Sequence, residues 1–247
     1  MNPGTAPGKL YGLAKVYKDN YPLRPVCLMV RTPEHCLAKF LDNIIKPYMS
    51  NQNMLYSTNN FLEKLDNFDI KHGDKMVSFD VVSLFTSVPL IYTIELIAEY
   101  IYSCPTHTPP PFTKLVFKNM MKAATQGFFL FNDILYQQID GVIMGSPLGP
   151  TLANFFLADM EVKEWLNDNC DHNPALYLSY VDDVFAIFRQ GVDIDTFLNK
   201  KNSSHPDIKF TVEQSTKTLT FLDVEIKLDE NSFDSWMAKK RLIQESY

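Results

Sequence analysis

The chain has 247 residues, 46% of them hydrophobic, with 18 Phe, 12 Tyr and a formal net charge of −6. This apolar content predicts one large domain or two subdomains with a real core and excludes a disordered or low-complexity protein. The four cysteines have no Cys-x-x-Cys pairing, which predicts reduced thiols of an intracellular protein and neither a zinc site nor a disulfide framework. No run of eighteen apolar residues is present, so we expect a soluble protein without a membrane partner.

The charge is unevenly distributed along the chain. Residues 1–60 hold seven Lys and Arg against three acidic residues, so they carry +4 and the remainder carries −10. A negative total argues against a protein that simply coats nucleic acid, because phosphate contacts need Lys and Arg. A basic N-terminal part and an acidic remainder suit a protein that binds phosphates at one end and has clustered carboxylates elsewhere. An ordinary solvated surface explains the same numbers equally well.

The first part of the chain predicts an extended segment followed by two helices. The Gly- and Pro-rich segment from Gly4 to Pro25 is typical of strand and loop. Thr32 is a predicted N-cap with Pro33 at the first helical position, and apolar residues then recur at helical spacing to Tyr48. A second helix is predicted at 58–68.

From residue 75 onward, short strands and helices alternate. In chain order the sequence predicts a strand at 75–80, a helix at 89–100, a Pro-rich loop at 105–111, a helix at 113–125, a hairpin at 128–138, a long helix to about 166, a hairpin at 176–188, a helix at 193–201, and strands at 208–214 and 218–228 around a turn at 215–217. Neither repeats nor linkers interrupt this order. It predicts an α+β fold with an antiparallel sheet.

Two adjacent carboxylates, Asp182 and Asp183, lie in the tip of the apolar hairpin at 176–188. Neighbouring carboxylates repel each other and disfavour a tight turn unless something neutralises them. Single Asp residues are common in turns, but the pair between two apolar strands favours a site for a hard divalent cation, which binds clustered oxygen ligands.

Asp80 ends another β-prone run and is the predicted partner of this pair. If the two strands are neighbours in one sheet, Asp80 and Asp182 converge at the end of that sheet. Two cations held there would activate a hydroxyl and stabilise a leaving pyrophosphate. An aspartate at the end of a strand is more often an ordinary strand-end residue. The assignment of Asp80 to a cation site therefore depends on the other motifs.

Three segments resemble the polymerase motifs A, B and C of reverse transcriptases, in the same order and at the same spacing. They are FDVVSLFTSVPL at 79–90, QQIDGVIMGSPLGP at 137–150 and YVDD at 180–183. LRPV at 23–26 resembles the fingers motif that carries a triphosphate-binding arginine, and FLDVEI at 221–226 resembles the strand leading to the primer grip. Among reverse transcriptases the sequence most resembles Penelope-like retroelements, from about Lys9 to Lys227.

The resemblance implies a role for individual residues. It implies that Asp80, Asp182 and Asp183 are catalytic and hold two Mg²⁺ or Mn²⁺ ions, with the Val81 carbonyl as a further ligand. The implied nucleotide-binding residues are Lys18 (or Lys15), Arg24, Ser83, Leu84, Phe85 and Gly141, and the implied template and primer contacts are Tyr180, Gly145, Ser146 and Pro147. Phe85 matches the bulky residue that excludes a ribose 2′-hydroxyl; a core aromatic is the alternative reading.

Two positions depart from the family pattern or align poorly with it. Asp140 stands where many relatives place Gln before the glycine, and Gln138 is a candidate to replace it. Lys217 lies where a motif D lysine protonates pyrophosphate, although a solvated turn lysine is the simpler reading. Tyr180 is either a primer contact or an inward hairpin aromatic.

The resemblance also implies a domain layout. It predicts a polymerase palm, with an antiparallel sheet backed by helices, plus partial fingers and a largely absent thumb. The expected boundaries are partial fingers with the first palm helices at 1–75, a palm at 76–228 (motif A 77–90, motif B 137–158, motif C 178–186, motif D/E-like strands 207–228), and the start of a truncated thumb or tail at 229–247.

The function implied by the resemblance is that of an RNA-directed DNA polymerase from a mobile element. Its expected partners are an RNA template, a DNA primer and deoxynucleoside triphosphates, with no haem or nicotinamide cofactor and a nuclear site of action. An RNA-dependent RNA polymerase is the nearest alternative, and Phe85 argues against it. A catalytically silent nucleic-acid-binding remnant is the alternative from another class, and the intact acidic residues oppose it.

Overall fold

The computed structural model describes residues 6–14, 21–30, 32–49, 53–105, 108–166, 171–229 and 233–237. The chain folds into two compact units, each assembled from two separate segments. The first unit comprises Met1–Ser50 and Ser83–Met160, and the second comprises Asn51–Val82 and Glu161–Tyr247. None of the helices in the described ranges is both long enough and apolar enough to cross a membrane.

Seven α-helices and eleven strands make up the described part of the chain. The helices are α1 (Pro33–Ile45), α2 (Thr58–Asp66), α3 (Leu84–Ser87), α4 (Leu90–Ser103), α5 (Lys114–Thr125), α6 (Gly149–Met160) and α7 (Ile194–Ser203). The strands are β1 (Gly8–Ala14), β2 (Leu23–Leu28), β3 (Lys75–Val81), β4 (Gly127–Phe131), β5 (Ile134–Gln138), β6 (Leu176–Tyr180), β7 (Asp183–Phe188), β8 (Phe210–Ser215), β9 (Thr218–Phe221), β10 (Val224–Leu228) and β11 (Phe233–Met237).

The predicted α+β fold with antiparallel sheets backed by helices is confirmed. Helix α1 begins where its cap predicts, because the Thr32 hydroxyl accepts a hydrogen bond from the His35 backbone N–H at 3.3 Å. Ser57 caps α2, which begins at Thr58 as predicted and ends at Asp66, before the predicted end at 68. The long helix predicted to continue to about 166 is regular only to Met160, and a π-helical turn, Glu161–Trp165, follows it.

The first unit contains a four-stranded sheet in the order β2-β1-β4-β5. Its strands are antiparallel except for the parallel pairing of β1 with β4. The predicted hairpin at 128–138 is confirmed: Asn132 and Asp133 both have positive φ angles, which is the two-residue turn that Asn and Asp favour. Helix α5 packs against both α1 and α4 in this unit.

The second unit contains an antiparallel sheet in the order β6-β7-β3-β8 with one helix on each face. Because side chains alternate along a strand, Phe185 and Phe79 point to opposite faces. The Phe185 ring lies 5.1 Å from Phe61 of α2, and the Phe79 ring lies 5.9 Å from Phe197 of α7. The sheet is therefore covered by α2 on one face and by α7 on the other.

The prediction of a single strand at 218–228 is wrong. The chain reverses at Leu222 and Asp223, whose φ angles are 48° and 62°, and Phe221 then pairs with Val224 in a tight hairpin. Leucine is not a typical residue for such a turn, so local preference does not reveal it. Leu222 packs against the core of this unit, which favours the turn. Strands β9 and β10 join β11 in a separate three-stranded sheet.

Candidate active site

The acidic turn at 181–182 is a tight two-residue hairpin turn between β6 and β7. Tyr180 pairs with Asp183, which leaves Val181 and Asp182 as the two turn residues. Val181 has a φ angle of 54°, whereas Asp182 does not have a positive φ, so the turn is of the type II′ class. A β-branched residue is strained in this conformation, and strain of this kind clusters at functional sites.

The central strand β3 brings Asp80 directly beside this turn. Asp80 is the register partner of Asp183, and the Val81 backbone N–H donates a hydrogen bond to the Asp182 carbonyl at 3.2 Å. Directly opposite residues of an antiparallel pair project from the same face. The structure therefore brings Asp80, Asp182 and Asp183 together at one end of one sheet, within the second unit.

This end of the sheet concentrates negative charge in half-buried positions. Asp80, Asp182 and Asp183 are each partly exposed. Like charges directly across a strand pair destabilise the sheet, and the effect grows as the carboxylates leave water. A bound cation would remove this repulsion.

The acidic side chains at this end of the sheet offer only oxygen donors. Carboxylate and carbonyl oxygens are the preferred ligands of Mg²⁺ and Mn²⁺. Within the residues that the structure describes, no group of three or more His, Cys, Asp and Glu side chains is arranged to hold a metal ion. Mg²⁺ usually takes only one or two carboxylates from the protein and completes its shell with substrate phosphates and water. The donor set therefore fits such a cation without forming a prebuilt cage.

Tyr180 lies on the same face of the sheet as Asp80 and Asp183. It is partly buried and packs against the apolar cluster between the sheet and α2. This placement agrees with the prediction of an inward-facing hairpin aromatic. Tyr180 is also partly exposed beside the acidic turn.

Two predicted site glycines, Gly141 and Gly145, approach the protein's own backbone. Their φ angles are +69° and +114°. A Cβ atom on Gly141 would lie 2.5 Å from the Thr86 carbonyl oxygen, and one on Gly145 would lie 2.2 Å from the Cys27 carbonyl oxygen. The 141–148 loop is held at these points by hydrogen bonds from the Cys27 N–H to the Met144 carbonyl and from the Val142 N–H to the Phe85 carbonyl, at 2.8 and 2.7 Å. The glycines are thus required by internal packing of the first unit.

The other predicted residues of this loop differ in exposure. Ser146 is 8% exposed, and its buried hydroxyl has no hydrogen-bond partner. Pro147 is partly exposed. Asp140 accepts a hydrogen bond from the Gly141 N–H at 2.8 Å, and the Gln138 side chain donates to the Asp140 carbonyl at 2.8 Å. Asp140 and Gln138 therefore stabilise the start of the loop together.

The predicted nucleotide-binding residues all belong to the first unit, except those outside the described ranges. Arg24 is exposed on β2. Ser83 is exposed with a φ angle of 53°, Leu84 is buried, and the Phe85 ring is half-buried against Gly149. Lys18 and Lys15 lie outside the described residues. The predicted acidic residues thus belong to the second unit, and the described nucleotide-binding residues belong to the first.

Lys217 is exposed in the turn between β8 and β9. Its backbone N–H donates to the Ser215 hydroxyl at 3.1 Å. This is the solvated turn lysine that the sequence also predicts.

Sequence reasoning passed over one charged group behind the acidic hairpin. Lys201 is 0% exposed, and its ammonium nitrogen lies 2.8 Å from the Tyr177 hydroxyl of β6. The signal was available, because Lys201 follows the apolar residues Ile194 and Phe197 at helical spacing and so belongs to the buried face of α7.

No protein-family model matches the sequence, and no curated protein matches it. Solved structures do match it across nearly the whole chain. A telomerase from Candida tropicalis, in complex with the TWJ fragment of telomeric RNA, has a TM-score of 0.68 at 13% identity and covers 98% of this chain and 46% of its own. A telomerase from Candida albicans with the same kind of RNA fragment has a TM-score of 0.65 at 11% identity and covers 96% and 47%.

A viral polymerase shows the same likeness. The RNA-dependent RNA polymerase of a human picobirnavirus has a TM-score of 0.57 at 11% identity and covers 91% of this chain and 44% of its own. The present chain spans about half the length of the telomerases that it matches. At these identities the likeness concerns the fold, and the chain has the polymerase-like α+β fold of these telomerases and of the viral enzyme.

Proposed function

We propose that this chain is the core of an RNA-directed DNA polymerase, a reverse transcriptase from a mobile element, most like the Penelope-like retroelements. The observation that carries the proposal is the register of the second unit, in which Asp80 opposes Asp183 and adjoins the turn that holds Asp182. The three motif resemblances and the polymerase-like fold support it. In this proposal β1 and β2 belong to partial fingers, the sheet β6-β7-β3-β8 belongs to the palm, and a nuclear site of action follows from the element resemblance.

The proposed chemistry is transfer of a nucleotide to the 3′-hydroxyl of a primer. Asp80 and Asp182, with the Val81 carbonyl, would hold two Mg²⁺ or Mn²⁺ ions through their oxygens, and Asp183 would support the site. When bound, such ions lower the pKa of an attacking hydroxyl and neutralise a leaving pyrophosphate. The chain's own contribution is positioning: the backbone hydrogen bond from Val81 to Asp182 holds the two acidic strand ends together, so that little rearrangement is needed during the reaction.

Primer extension on an RNA template tests the proposal. We expect the parent chain to add deoxynucleotides to an annealed DNA primer in the presence of Mg²⁺ or Mn²⁺. Asp182→Asn removes a charge that the transition state requires, so the rate should fall by about 100- to 1000-fold or more. Asp207→Asn, at an exposed position of the same unit, should leave the rate unchanged.

Two results of this assay contradict the proposal. Equal extension by the parent and by Asp182→Asn would assign the activity to a contaminant. No extension by the parent, together with retained binding to a primer–template duplex, would favour the silent nucleic-acid-binding remnant. A longer reading frame should be assayed beside this chain, because the telomerases that it matches are about twice its length.

The likeness to the picobirnavirus enzyme makes RNA-dependent RNA synthesis the second candidate function. Phe85 distinguishes the two, since a bulky side chain at the proposed sugar position would clash with a ribose 2′-hydroxyl. We expect the parent to prefer deoxynucleotides and Phe85→Ala to reduce that preference by about tenfold or more, as one removed steric contact of 1–3 kcal/mol allows. A parent that already prefers ribonucleotides would favour the second candidate.

A further inference from the structure

A chain of three buried polar side chains lies behind the acidic hairpin. Lys201 of α7 donates a hydrogen bond from its ammonium group to the Tyr177 hydroxyl of β6 at 2.8 Å. Tyr177 is in turn hydrogen-bonded to the carboxylate of Glu161, the first residue of the π-helical turn. Lys201 is 0% exposed and Glu161 is 2% exposed. The three residues join a helix, a strand and an irregular turn inside the second unit.

The ammonium group is surrounded by aromatic rings. The distances from its nitrogen to the ring centroids are 4.0 Å for Phe210, 4.1 Å for Trp165, 4.8 Å for Tyr177, 5.2 Å for Phe79 and 5.7 Å for Phe197. Ring faces stabilise a cation at these distances, particularly when water is excluded. The groups that contact the amine nitrogen are therefore ring faces and one phenol oxygen.

Stability alone does not account for this arrangement. Burial lowers the pKa of Lys201 to about 7, although the charge of Glu161 acts in the opposite direction. Burial, followed by the charge of Glu161 and its hydrogen bond, also raises the pKa of Tyr177. A buried ion pair is often no more stable than apolar side chains of the same volume. An apolar residue at position 201 would suit the surrounding rings, so the presence of a polar, ionisable side chain there needs another explanation.

The network contacts β6, which leads into the acidic turn, and β3, which carries Asp80. Tyr177 lies on β6, three residues before Tyr180, where β6 enters the acidic turn. Phe79, whose ring faces the ammonium group, is the residue next to Asp80 on β3. Both side chains project from the face covered by α7, opposite to the face of Asp80 and Asp183. A shift of the network would thus move both strand ends.

We propose that Glu161, Tyr177 and Lys201 form a positioning network that fixes β6, and with it the Val181–Asp182 turn, against β3. A hydrogen bond has a preferred direction and length, so the bond from Lys201 to Tyr177 constrains where β6 lies against α7. The network therefore constrains the angle of the hairpin, whose register the two-residue turn already fixes. Its consequence for catalysis rests on the proposed function, but its effect on the hairpin does not.

Amide hydrogen exchange tests the positioning itself. Lys201→Met alone leaves Glu161 buried without its counter-charge and is expected to destabilise the whole fold. The informative variant is therefore E161Q/K201M, which removes both charges and is expected to keep the parent's midpoint of thermal unfolding. At that equal stability, amides 176–183 should exchange about tenfold or more faster than in the parent, as expected for loss of a hydrogen bond to a charged group. Lys200→Met, one residue away on α7, is the matched control and should not change exchange in this segment.

Primer extension by the same variants tests the catalytic consequence. We expect E161Q/K201M to lower kcat by about tenfold while KM for the nucleotide is unchanged, because the acidic turn is displaced and the nucleotide-binding residues are not. A double variant that exchanges like the parent, or that exchanges faster yet extends primers at the parent's rate, overturns the proposal. A parent that extends no primer counts against the proposed function alone, because the exchange measurement does not depend on activity.

Discussion

At the scale of single residues, the glycines of the 141–148 loop are explained by the protein's own backbone. Gly145 combines a φ angle of +114° with a carbonyl oxygen 2.2 Å from the position of a Cβ atom. Gly191 also has a positive φ, of +87°, but nothing lies within 4 Å of its Cβ position. Alanine substitutions at these two residues therefore distinguish the free-energy cost of the backbone conformation from the cost of a steric clash.

We expect Gly145→Ala to destabilise the chain by about 3 kcal/mol or more, from strain plus overpacking. Gly191→Ala should cost only about 1 kcal/mol, from strain alone. Thermal unfolding of both variants against the parent measures the difference. Equal losses would show that the contact with Cys27 does not constrain this loop.

Val181 is the residue at which the acidic hairpin is most strained. Its φ angle of 54° is unfavourable for a β-branched side chain. Val181→Gly should therefore raise the free energy of unfolding by about 1 kcal/mol, because the relieved strain exceeds the added entropy of the unfolded chain. Denaturant unfolding measures this gain.

The matched control is Val82→Gly. Val82 is exposed and does not have a positive φ, so glycine there should lower stability by about 0.5–1 kcal/mol. Losses of similar size in both variants would mean that the turn at Val181 carries no strain.

At the scale of secondary-structure elements, α7 and the π-helical turn place an ionisable group under the central sheet. Because the pKa of Lys201 is lowered to about 7 in the fold from an ordinary value of 10.5, the unfolded chain binds a proton between these values that the folded chain does not. Stability should therefore rise with pH from about 7 upward, and the penalty of burial is fully present below pH 7. The titratable groups that act on Lys201 here are Tyr177 and Glu161.

Denaturant unfolding between pH 6.5 and 9.5 checks this prediction. The contribution of Lys201 is at most about 1.4 kcal/mol per pH unit. After subtraction of the pH dependence that all variants share, this contribution should be absent from E161Q/K201M and retained in Lys200→Met. If the free energy of unfolding of the double variant depends on pH as strongly as that of the parent, the pKa of Lys201 is not lowered in the fold and the prediction is wrong.

At the scale of the whole molecule, the chain passes between the two units three times, after Ser50, Val82 and Met160. Strand β3 is one of the two inner strands of the sheet β6-β7-β3-β8, yet it precedes its two pairing partners, β7 and β8, by about a hundred residues or more. The central strand therefore depends on contacts that are distant in sequence, which form slowly during folding.

A fragment of residues 1–160 retains β3 but lacks β6, β7 and β8. With both edges of β3 unpaired and its buried Val77 and Phe79 uncovered, we expect the fragment to aggregate and to show no cooperative unfolding. Co-expression with residues 161–247 should recover soluble complex, as measured by size-exclusion chromatography. A monomeric fragment with a cooperative transition would show that β3 is not integral to the second unit.

Several local features were predictable from the sequence because neighbouring residues determine them. The Thr32 cap accepts from an N–H three residues later, and the Asn132–Asp133 turn uses residues that tolerate positive φ. The hairpin at 176–188 follows from two apolar strands around a polar tip. Each depends on interactions between residues of one short segment, so a linear pattern is sufficient.

Other features were decided only by the tertiary structure. Nothing local determines that Asp80 pairs with Asp183, since register is selected by packing across residues far apart in sequence. The turn at Leu222 contradicts local preference and requires the surrounding core. Helical spacing places Lys201 on the buried face of α7, but most of the five rings around it come from other elements. The sequence alone thus determined which residue types meet in each hairpin and helix, whereas long-range packing decided which strand ends lie together and which charge is buried behind them.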